Sequence, residues 1–353
     1  VASWPHWYEP NRYLPLFYGA LSRWGIVHVR NVPPRLGSFG SEGQADVLHL
    51  HWPEAWWREA GRRLPRRLLA LAGLRRLLAG LRRREVPVVW TVHNLLPHGA
   101  DRVADELGYR LVHRSADLRV FHSRWARDRD RDIRGAGGGA TILMPHGAYQ
   151  GVLPAPAPPE RTRAALAIPP GRRVLLCFGQ VRSYKGFDVA VRAMDHLPRG
   201  AFHLVVAGRP VGRGAAAVEK HALGRPDVHL LLEEVSDRTL ADLLGVADAV
   251  LLPYREVTSS GTLLQALTAG RGVVASDLPP LREALAPEPG AAEWMTPGDP
   301  ASLAAAVGRF VISDGAERTA SALALAERYR WEAVVEPVAA WLLDRFGAPR
   351  HPT

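Results

Sequence analysis

Short apolar runs alternate along this chain with longer segments that have helical spacing. This alternation predicts parallel strands joined by crossover helices. In the first half, the predicted strands cover residues 45–52, 86–93, 116–123 and 140–147. In the second half, they cover residues 172–179, 201–208, 227–233, 247–254 and 272–277. Because the pattern occurs twice, we predict an α/β protein with two doubly wound, Rossmann-like domains.

A proline-rich segment separates the two halves. The sequence GVLPAPAPPERTR, residues 151–163, has too many prolines for a helix interior or a central strand, so it predicts a linker. After the last predicted strand, Asp299 and Pro300 have the pattern of a helix start. Two such domains facing each other would place the carboxyl ends of their strands around an interdomain cleft, the usual ligand position in these sheets.

Composition narrows the class of protein. The chain has 353 residues, of which 47% are hydrophobic and 23% charged, which is typical of a folded globular protein of two domains. No apolar run approaches the ~20 residues that span a bilayer, and we expect no secretory signal. The single cysteine, Cys177, fits a reducing compartment. We therefore expect a cytoplasmic location, with peripheral contact at the inner face of the membrane as an open alternative.

The charge balance favours anionic ligands. The formal net charge is +10, which would attract phosphates, nucleotides or acidic lipid headgroups. The arginines are spread along the chain without an interleaved aromatic binding motif, so we expect no specific nucleic-acid partner. Residues 62–85 have leucines every three or four residues between arginine clusters. This predicted helix either covers the first sheet or rests on an anionic membrane surface.

One of the only two lysines lies in a glycine-containing loop. In FGQVRSYKGFD, residues 178–188, a predicted strand ends and Gly179, Arg182 and Lys185 follow. Glycine lets the backbone approach a phosphate closely, and an ammonium is a compact point charge where arginine would impose a planar fork. The loop therefore predicts an anion site. The alternative is a solvated lysine at a helix start.

A second anion-binding pattern precedes the apolar segment TLLQALTAG. Ser259, Ser260 and Gly261 come directly before it and would place unpaired backbone N–H groups at a helix N-terminus. Hydroxyls at this position also suit a phosphate or a sugar. The alternative is that Ser260 is an ordinary helix cap without a ligand.

Polar residues lie at or directly after the ends of the predicted strands of the first half. These residues are His49, His51, His93, Asn94 and His146. No carboxylate or cysteine set with the spacing of metal ligands accompanies them, so we expect no metal site. They either line a ligand cleft or are ordinary polar residues at strand ends. Trp52, beside His51, either stacks on a sugar or packs in the core.

Several segments in combination resemble a known enzyme family. The second half resembles the donor-binding domain of the retaining, GT-B-fold glycosyltransferases of family 4, also called group 1. The segments that carry this resemblance are FGQVRSYKGFD, VVAGRP (205–210), residues 235–285 and WMTPGDPASLAAAV (294–307). In the first half, HLHWPE and TVHN resemble the acceptor-side domain of a bacterial branch of the same family.

The resemblance implies an activity and a role for each part of the chain. It implies transfer of a sugar from GDP-mannose or a UDP-sugar to a glycan, lipid-linked or small-molecule acceptor, with retention of configuration and no obligatory metal or other cofactor. Residues 1–150 would be the acceptor-side domain, 151–330 the donor domain, and 331–353 a helical segment crossing back. His93 would support the reacting sugar. An epimerase, a phosphorylase or a non-catalytic nucleotide-sugar-binding partner are alternatives on the same fold.

The resemblance also implies site residues, with one departure. The implied donor-side residues are Gly179, Arg182, Lys185, Val235, Glu256, Ser259, Ser260, Gly261 and Gln265. The implied acceptor-side residues are His49, His51, Trp52, Asn94 and His146. The family usually has two glutamates separated by seven residues, but here Gln265 takes the second place and Val257, next to Glu256, takes the first. An amide can bind a ribose diol but lacks the charge of a carboxylate.

Overall fold

The computed structural model describes residues 1–5, 12–30, 32, 35–40, 45–95 and 102–346. The chain divides into two compact units: unit 1 contains residues 1–147 and 331–353, and unit 2 contains residues 148–330. Each unit has its own parallel sheet. Residues 347–353, the end of the predicted C-terminal segment, lie outside the described residues.

Unit 1 has a five-stranded sheet in simple sequential order. Its strands are β1 (Ala2–Trp4), β2 (Leu48–Leu50), β3 (Val88–Val92), β4 (Leu118–Phe121) and β5 (Ala140–Leu143), paired in the order β1-β2-β3-β4-β5. Every residue of β3, VVWTV, is buried. Continuous apolar strands of this kind are typical of parallel sheets that are covered on both faces.

Five helices of unit 1 precede the crossing into unit 2. They are α1 (Tyr13–Ser22), α2 (Glu54–Arg58), α3 (Leu64–Arg83), α4 (Arg102–Ser115) and α5 (Arg124–Arg134). The leucine stripe of α3 is divided between two environments. Leu74 and Leu81 pack in the core with Trp90, whereas Leu68 and Leu69 in the first half of the helix are 40% and 71% exposed. Helix α3 therefore packs on the core from Leu71 onward.

Unit 2 has a six-stranded sheet with a change of direction. Its strands are β6 (Arg173–Phe178), β7 (Phe202–Ala207), β8 (Val228–Leu231), β9 (Ala249–Leu252), β10 (Val273–Ser276) and β11 (Ala292–Met295). Their spatial order is β11-β10-β9-β6-β7-β8. Strands β7 and β8 thus follow on one side of β6, and β9, β10 and β11 then follow on its other side. The carboxyl ends of β6 and β9 form the topological switch point, where ligands of such sheets usually bind.

Eight helices cover this second sheet. They are α6 (Pro159–Ala165), α7 (Phe187–Ala193), α8 (Gly214–Ala222), α9 (Asp237–Val246), α10 (Gly261–Thr268), α11 (Pro279–Leu285), α12 (Pro300–Ile312) and α13 (Gly315–Arg328). Helix α12 starts where the sequence predicts. The Asp299 carboxylate accepts hydrogen bonds from the backbone N–H groups of Ala301 and Ser302, and Pro300 is the first helical residue.

Two helices, α14 (Trp331–Val334) and α15 (Glu336–Phe346), return to unit 1. Trp331 packs directly on the backbone of Gly147. A Cβ atom at position 147 would lie 2.2 Å from the indole, so this approach requires glycine. The point where the chain leaves unit 1, at residue 147, therefore contacts the point where it returns, at residue 331.

The predicted linker over residues 151–163 is partly wrong, because α6 begins inside it at Pro159. Proline lacks an N–H group, but the first residue of a helix has no intrahelical acceptor for one, so proline is tolerated there. Strands β1 (ASW) and β11 (AEWM) were not predicted, since neither contains a β-branched residue or a continuous apolar run. The predicted strand at 140–147 ends at Leu143, two residues before Pro145.

Candidate functional site

Lys185 in unit 2 is a buried cation without a counter-ion. Its side chain is only 8% exposed, and its Nζ donates a hydrogen bond to Thr262 Oγ1 at 3.1 Å. Nζ also lies 5.7 Å from the ring centroids of Phe187 and Tyr254. Among the described residues, no carboxylate forms an ion pair with it. The alternative prediction of a solvated lysine is therefore wrong.

Burial changes the acid–base chemistry of Lys185. Desolvation, and to a smaller extent the charge of Arg182, lowers the pKa of its ammonium from 10.5 to about 8. The group still carries most of its charge at neutral pH, but it has lost the water that would stabilise it. An anion that entered this position would replace the lost solvation.

Two glycines shape the position of Lys185. Gly179, directly after β6, has a φ of +94°, and a Cβ atom there would lie 2.7 Å from Lys185 Nζ. Gly186 has a φ of +65°, and a Cβ atom there would lie 2.0 Å from the carbonyl oxygen of Pro253. Both conformations favour glycine. The compact ammonium thus lies against a glycine backbone, where a broad guanidinium would have less room.

The lysine site lies at the topological switch point of unit 2. Gly179 follows β6, and Tyr254 and Ser260 follow β9, its neighbour in the sheet. The Ser260 hydroxyl accepts a hydrogen bond from the N–H of Leu263 at 3.1 Å and lies 3.2 Å from the Tyr254 hydroxyl. Ser260 is thus the N-cap of α10. Its neighbours Ser259 and Gly261 are half-buried at the start of this helix.

The remaining predicted donor residues are more dispersed. Arg182 is half-buried, and its Nε donates to Gln180 Oε1 at 2.9 Å. Glu256 is exposed and lines a cavity of about 380 Å³ beside Tyr184. Gln265 lines another cavity, of about 250 Å³, and Val235 is half-buried just before α9. The structure therefore groups Gly179, Arg182, Lys185 and Ser260 most closely.

Four histidines surround one tyrosine in unit 1. His51 follows β2, His93 follows β3, His122 follows β4, and His146 comes three residues after β5. Their ring centroids lie 5.7, 4.7, 5.5 and 5.2 Å from that of Tyr13, all in edge-on geometry. Because the carboxyl ends of parallel strands share one edge of a sheet, histidines placed after successive strands converge there.

Hydrogen bonds join His93 to the interior of unit 1. Thr91 Oγ1 lies 2.8 Å from His49 Nε2, and His49 Nδ1 lies 2.9 Å from the Tyr18 hydroxyl. The same hydroxyl lies 2.9 Å from His51 Nε2, and His51 Nδ1 lies 3.1 Å from His93 Nε2. We call these five residues the histidine chain. It runs from the fully buried Thr91 to the half-buried His93.

Burial keeps these imidazoles neutral. It is the largest cause that lowers the pKa of His49 to about 3, of His122 to about 4 and of His146 to about 3. The pKa values of His51 and His93 also lie well below the ordinary value, because of burial and then of repulsion by neighbouring histidines. At neutral pH, the cluster therefore acts through hydrogen bonds and ring contacts instead of through charge.

The other predicted residues of unit 1 flank this cluster. Trp52 is half-buried and stacks on His93, with ring centroids 4.3 Å apart and an angle of 14° between the planes. Asn94 is half-buried, and its side chain makes no hydrogen bond to a described residue. Over the described ranges, no group of three or more His, Cys, Asp or Glu residues is placed to hold a metal ion.

Sequence reasoning missed three members of this cluster. They are Tyr13, Tyr18 and His122. His122 had a usable signal, since it follows its strand in VFHS as His93 does in TVHN. Its Nδ1 donates to the carbonyl oxygen of Met144 at 2.8 Å. The two tyrosines lie on α1, far from the histidines in sequence, so only the fold brings them together.

In the part of the chain that the structure describes, no helix has the length and apolarity needed to cross a membrane.

Comparison with known proteins defines the class. Residues 172–313 match the family model described as glycosyl transferases group 1. The chain is 31% identical over 269 residues to the GDP-mannose:glycolipid 4-beta-D-mannosyltransferase of Xanthomonas campestris pv. campestris, covering 75% of this chain and 69% of the relative. It is 29% identical over 315 residues to the D-inositol 3-phosphate glycosyltransferase of Xylanimonas cellulosilytica, covering 83% and 70%. The chain is a glycosyltransferase. In particular, it belongs to the group 1 glycosyltransferase family.

Solved structures show the same fold. HepE of Anabaena in complex with UDP has a TM-score of 0.67 at 17% identity, covering 85% of this chain and 79% of that one. Sucrose-phosphate synthase of Thermosynechococcus elongatus has a TM-score of 0.65 at 20% identity, covering 88% and 76%. The predicted GT-B fold class, with two Rossmann-like domains, is confirmed.

Proposed function

We propose that this chain transfers a sugar from a nucleotide diphosphate sugar to an acceptor hydroxyl, with unit 2 binding the donor and unit 1 the acceptor. The observation that carries this proposal is Lys185, a buried ammonium at the switch point of unit 2 that pairs with no carboxylate of the described residues. Leaving a cation in such a position is costly unless an anionic ligand fills it. The donor diphosphate is that ligand.

The donor site follows from the groups around Lys185. Its ammonium and the guanidinium of Arg182 bind the diphosphate, and the first backbone N–H groups of α10, at Gly261, add donors that lack intrahelical acceptors. When the bond between the sugar and the diphosphate breaks, negative charge develops on the leaving oxygen. A fixed ammonium stabilises that charge without reorganisation. Gln265 binds the ribose and Val235 lies near the nucleobase.

Among donors, we propose GDP-mannose first. The Xanthomonas relative is named for this donor and for a glycolipid acceptor, and a Rhizobium leguminosarum relative, 35% identical over 155 residues, is named as a lipopolysaccharide core mannosyltransferase. A UDP-sugar is the competing donor, since the HepE structure contains UDP. The product would then belong to glycoconjugate or polysaccharide biosynthesis.

The acceptor side is the surface formed by Trp52 and His93. The indole and imidazole lie parallel and stacked, and the half-buried surface that this pair leaves uncovered suits packing against a sugar ring. Besides Trp52, the rings of Tyr13, His51 and His122 also lie around His93. Since these groups are neutral, His93 positions a sugar hydroxyl instead of neutralising a charge.

The exposed half of α3 supports a lipid-linked acceptor. Leu68 and Leu69 project from the surface beside Arg62, Arg63 and Arg66, which are also exposed. This combination of apolar and basic side chains suits the surface of an anionic membrane. We propose peripheral contact at this half-helix, in a cytoplasmic protein. Sedimentation with phosphatidylglycerol vesicles should be lost in a Leu68→Gln, Leu69→Gln variant, and equal sedimentation of both proteins would contradict the contact.

We propose that the transfer retains the anomeric configuration. An inverting transfer needs a base to take the acceptor proton, and the depressed pKa of His93 makes its ring a poor base. In a retaining transfer, the departing diphosphate oxygen takes that proton. The name of the Xanthomonas relative specifies a β linkage. Whether the product has the same anomeric configuration as the donor is therefore the sharpest test of the proposed retention.

The experiment begins with donor binding. Titration calorimetry with GDP, UDP, GDP-mannose and UDP-glucose should give selective binding of one nucleotide class, and a Lys185→Met variant should lose it. The selected donor is then incubated with lipid-linked and soluble sugar acceptors, and NMR of the product gives its anomer. Binding without turnover on every acceptor would favour a non-catalytic partner, and rearrangement of the donor alone would favour an epimerase.

A further inference from the structure

Arg255 joins two loops at the carboxyl edge of the sheet of unit 2. It follows β9 in the sequence, and its backbone N–H donates to the carbonyl oxygen of Tyr184 at 2.7 Å. Its Nη1 donates to the carbonyl oxygen of Ser183 at 2.6 Å. Nη1 and Nη2 also donate to the two carboxylate oxygens of Asp188, at 2.9 and 2.7 Å. These hydrogen bonds reach the chain on both sides of Lys185. We call Arg255 and Asp188 the arginine clamp.

The turn that carries Lys185 has little support of its own. Residues Ser183–Lys185 form a 3₁₀ turn, in which the N–H of Lys185 donates to the carbonyl oxygen of Arg182 at 3.0 Å. The N–H of Gly186 donates to the carbonyl oxygen of Ser183 at 3.3 Å. The hydrogen bonds of so short a turn have poor geometry, and they do not fix its orientation on the sheet. Contacts with the neighbouring loop therefore set the orientation of Lys185.

Burial of the ammonium acts against this orientation. Lys185 is only 8% exposed, although Ser183 in the same turn lies at the surface. An outward movement of the turn would return the ammonium to water at the cost of its hydrogen bond to Thr262 Oγ1. The free protein therefore needs a contact that opposes this movement. Arg255 provides it, because it bonds to the chain before and after Lys185.

The arrangement requires a guanidinium. Its planar fork of N–H groups bonds to a carboxylate in two places and to a carbonyl oxygen at the same time, whereas an ammonium acts as a point charge. The side chains of Arg255 and Asp188 are 41% and 14% exposed, and an ion pair so close to solvent contributes little to stability. The clamp therefore contributes to the geometry of the loop more than to the free energy of unfolding.

We propose that Arg255 and Asp188 are positioning residues that hold the ammonium of Lys185 at the switch point of unit 2. The clamp acts in the free protein and fixes the cation before a ligand arrives. For donor binding, the inference rests on the proposed function, in which the diphosphate contacts Lys185. A cation that is already oriented loses less freedom on binding, so the clamp should contribute to affinity without contacting the donor.

The first test needs no ligand. Since the chain has only two lysines, protein labelled with ¹³C at the lysine Cε atoms gives two signals, and the Lys185 signal is the one that is lost in Lys185→Met. Apart from the clamp itself, the charged and titratable groups beside the ammonium are Arg182, Cys177 and Tyr254, and they are the same in every variant. In the wild-type protein, we expect Lys185 to titrate with a pKa of about 8.

Asp188→Ala is the decisive variant, because charge and position have opposite effects. Loss of a carboxylate, acting through charge alone, would lower the pKa of a nearby ammonium. Release of the turn would expose the ammonium of Lys185 to water and raise its pKa from about 8 toward the ordinary 10.5. We expect the higher pKa in Asp188→Ala and also in Arg255→Met. Thermal unfolding shows whether each variant is folded.

The second test is a double-mutant cycle with GDP and UDP. Arg255→Met should weaken nucleotide binding roughly 10-fold when Lys185 is present, and by no more than about twofold in the Lys185→Met background. A residue that itself contacted the nucleotide would cause the same loss in both backgrounds. Arg225 also bonds twice to an aspartate, Asp227, but at the amino edge of the sheet. Arg225→Met is therefore the matched control and should leave affinity unchanged.

Two results would overturn the inference. One is an unchanged or lowered pKa of Lys185 in folded Asp188→Ala, and the other is an equal loss of affinity from Arg255→Met in both backgrounds. The first is measured without nucleotide, so it tests the clamp even if the wild-type protein binds neither GDP nor UDP. Failure of nucleotide binding alone would remove the proposed function. An unchanged pKa together with normal nucleotide binding would remove the clamp and leave that function in place.

Discussion

Replacing Lys185 by methionine should have opposite effects on stability and on donor binding. Methionine has a similar shape and no charge, so it removes the cost of burying an ammonium that forms no ion pair with a described residue. Lowering the pKa of this group from 10.5 to about 8 corresponds to a penalty of roughly 3 kcal/mol on the charged form. We expect Lys185→Met to recover part of this free energy and to raise the Tm by several degrees.

The same change should weaken donor binding. A hydrogen bond to a charged group contributes about 1.5–3 kcal/mol, which corresponds to a loss of roughly 10- to 100-fold in affinity. Differential scanning calorimetry gives the first quantity, and titration with GDP and UDP gives the second. Lys220, the other lysine, is exposed on α8, so Lys220→Met is the matched control and should change neither.

The two measurements together test the reasoning. A site residue that exists to bind an anion costs stability in the empty protein and contributes affinity in the complex. If Lys185→Met lowered the Tm and left nucleotide affinity unchanged, Lys185 would have a structural role, and the donor site would have to be sought elsewhere.

Three further predictions concern the same two clusters. Nucleotide affinity should fall as pH rises above about 8, because free Lys185 then loses the proton that the diphosphate requires; titrations between pH 7 and 9.5 would show it, and a flat profile would contradict it. The free energy of unfolding should keep its full value above pH 6.5 and fall below it. In the unfolded chain, His49 and His122 bind protons below this pH, whereas in the folded protein these buried rings bind them only at about pH 3 and 4. Near pH 5, these two groups give about 3 kcal/mol per pH unit in urea denaturation, and a His122→Gln variant should show a smaller slope. Gly179→Ala should destabilise the protein by ~1–3 kcal/mol and also weaken nucleotide binding, whereas Gly200→Ala, at φ +78° with open space around it, should only destabilise; equal nucleotide affinity in both variants would show that Gly179 does not shape the lysine site.

Much of the fold could be predicted because buried strands and helix faces require recognisable patterns of apolar residues. A strand such as VVWTV is apolar at every position, and the buried half of α3 has its leucines on one face. Strands β1 and β11 show no such pattern, since ASW and AEWM each interrupt their apolar residues with a polar one and contain no β-branched residue. Helix α6 was not predicted, because prolines precede it and occupy its first position.

The site was predictable where it depends on local sequence. Gly179 and Lys185 lie close together in one loop, and their chemistry can be recognised before the fold is known. The ring of histidines around Tyr13 depends on strand order, which brings His51, His93 and His122 to the same edge of the sheet. A sequence shows each histidine separately and does not show that they meet.

The contact between Gly147 and Trp331 has a consequence for how such enzymes can diversify. The chain leaves unit 1 and returns to it at two neighbouring points, and in unit 2 the N–H of Ala148 donates to the carbonyl oxygen of Tyr329 at 2.7 Å. Unit 2 is therefore an insertion with closely spaced ends, an arrangement that tolerates exchange of whole domains. Under the proposed roles of the two units, recombination at these two junctions would change the nucleotide sugar that is used and leave the acceptor unchanged.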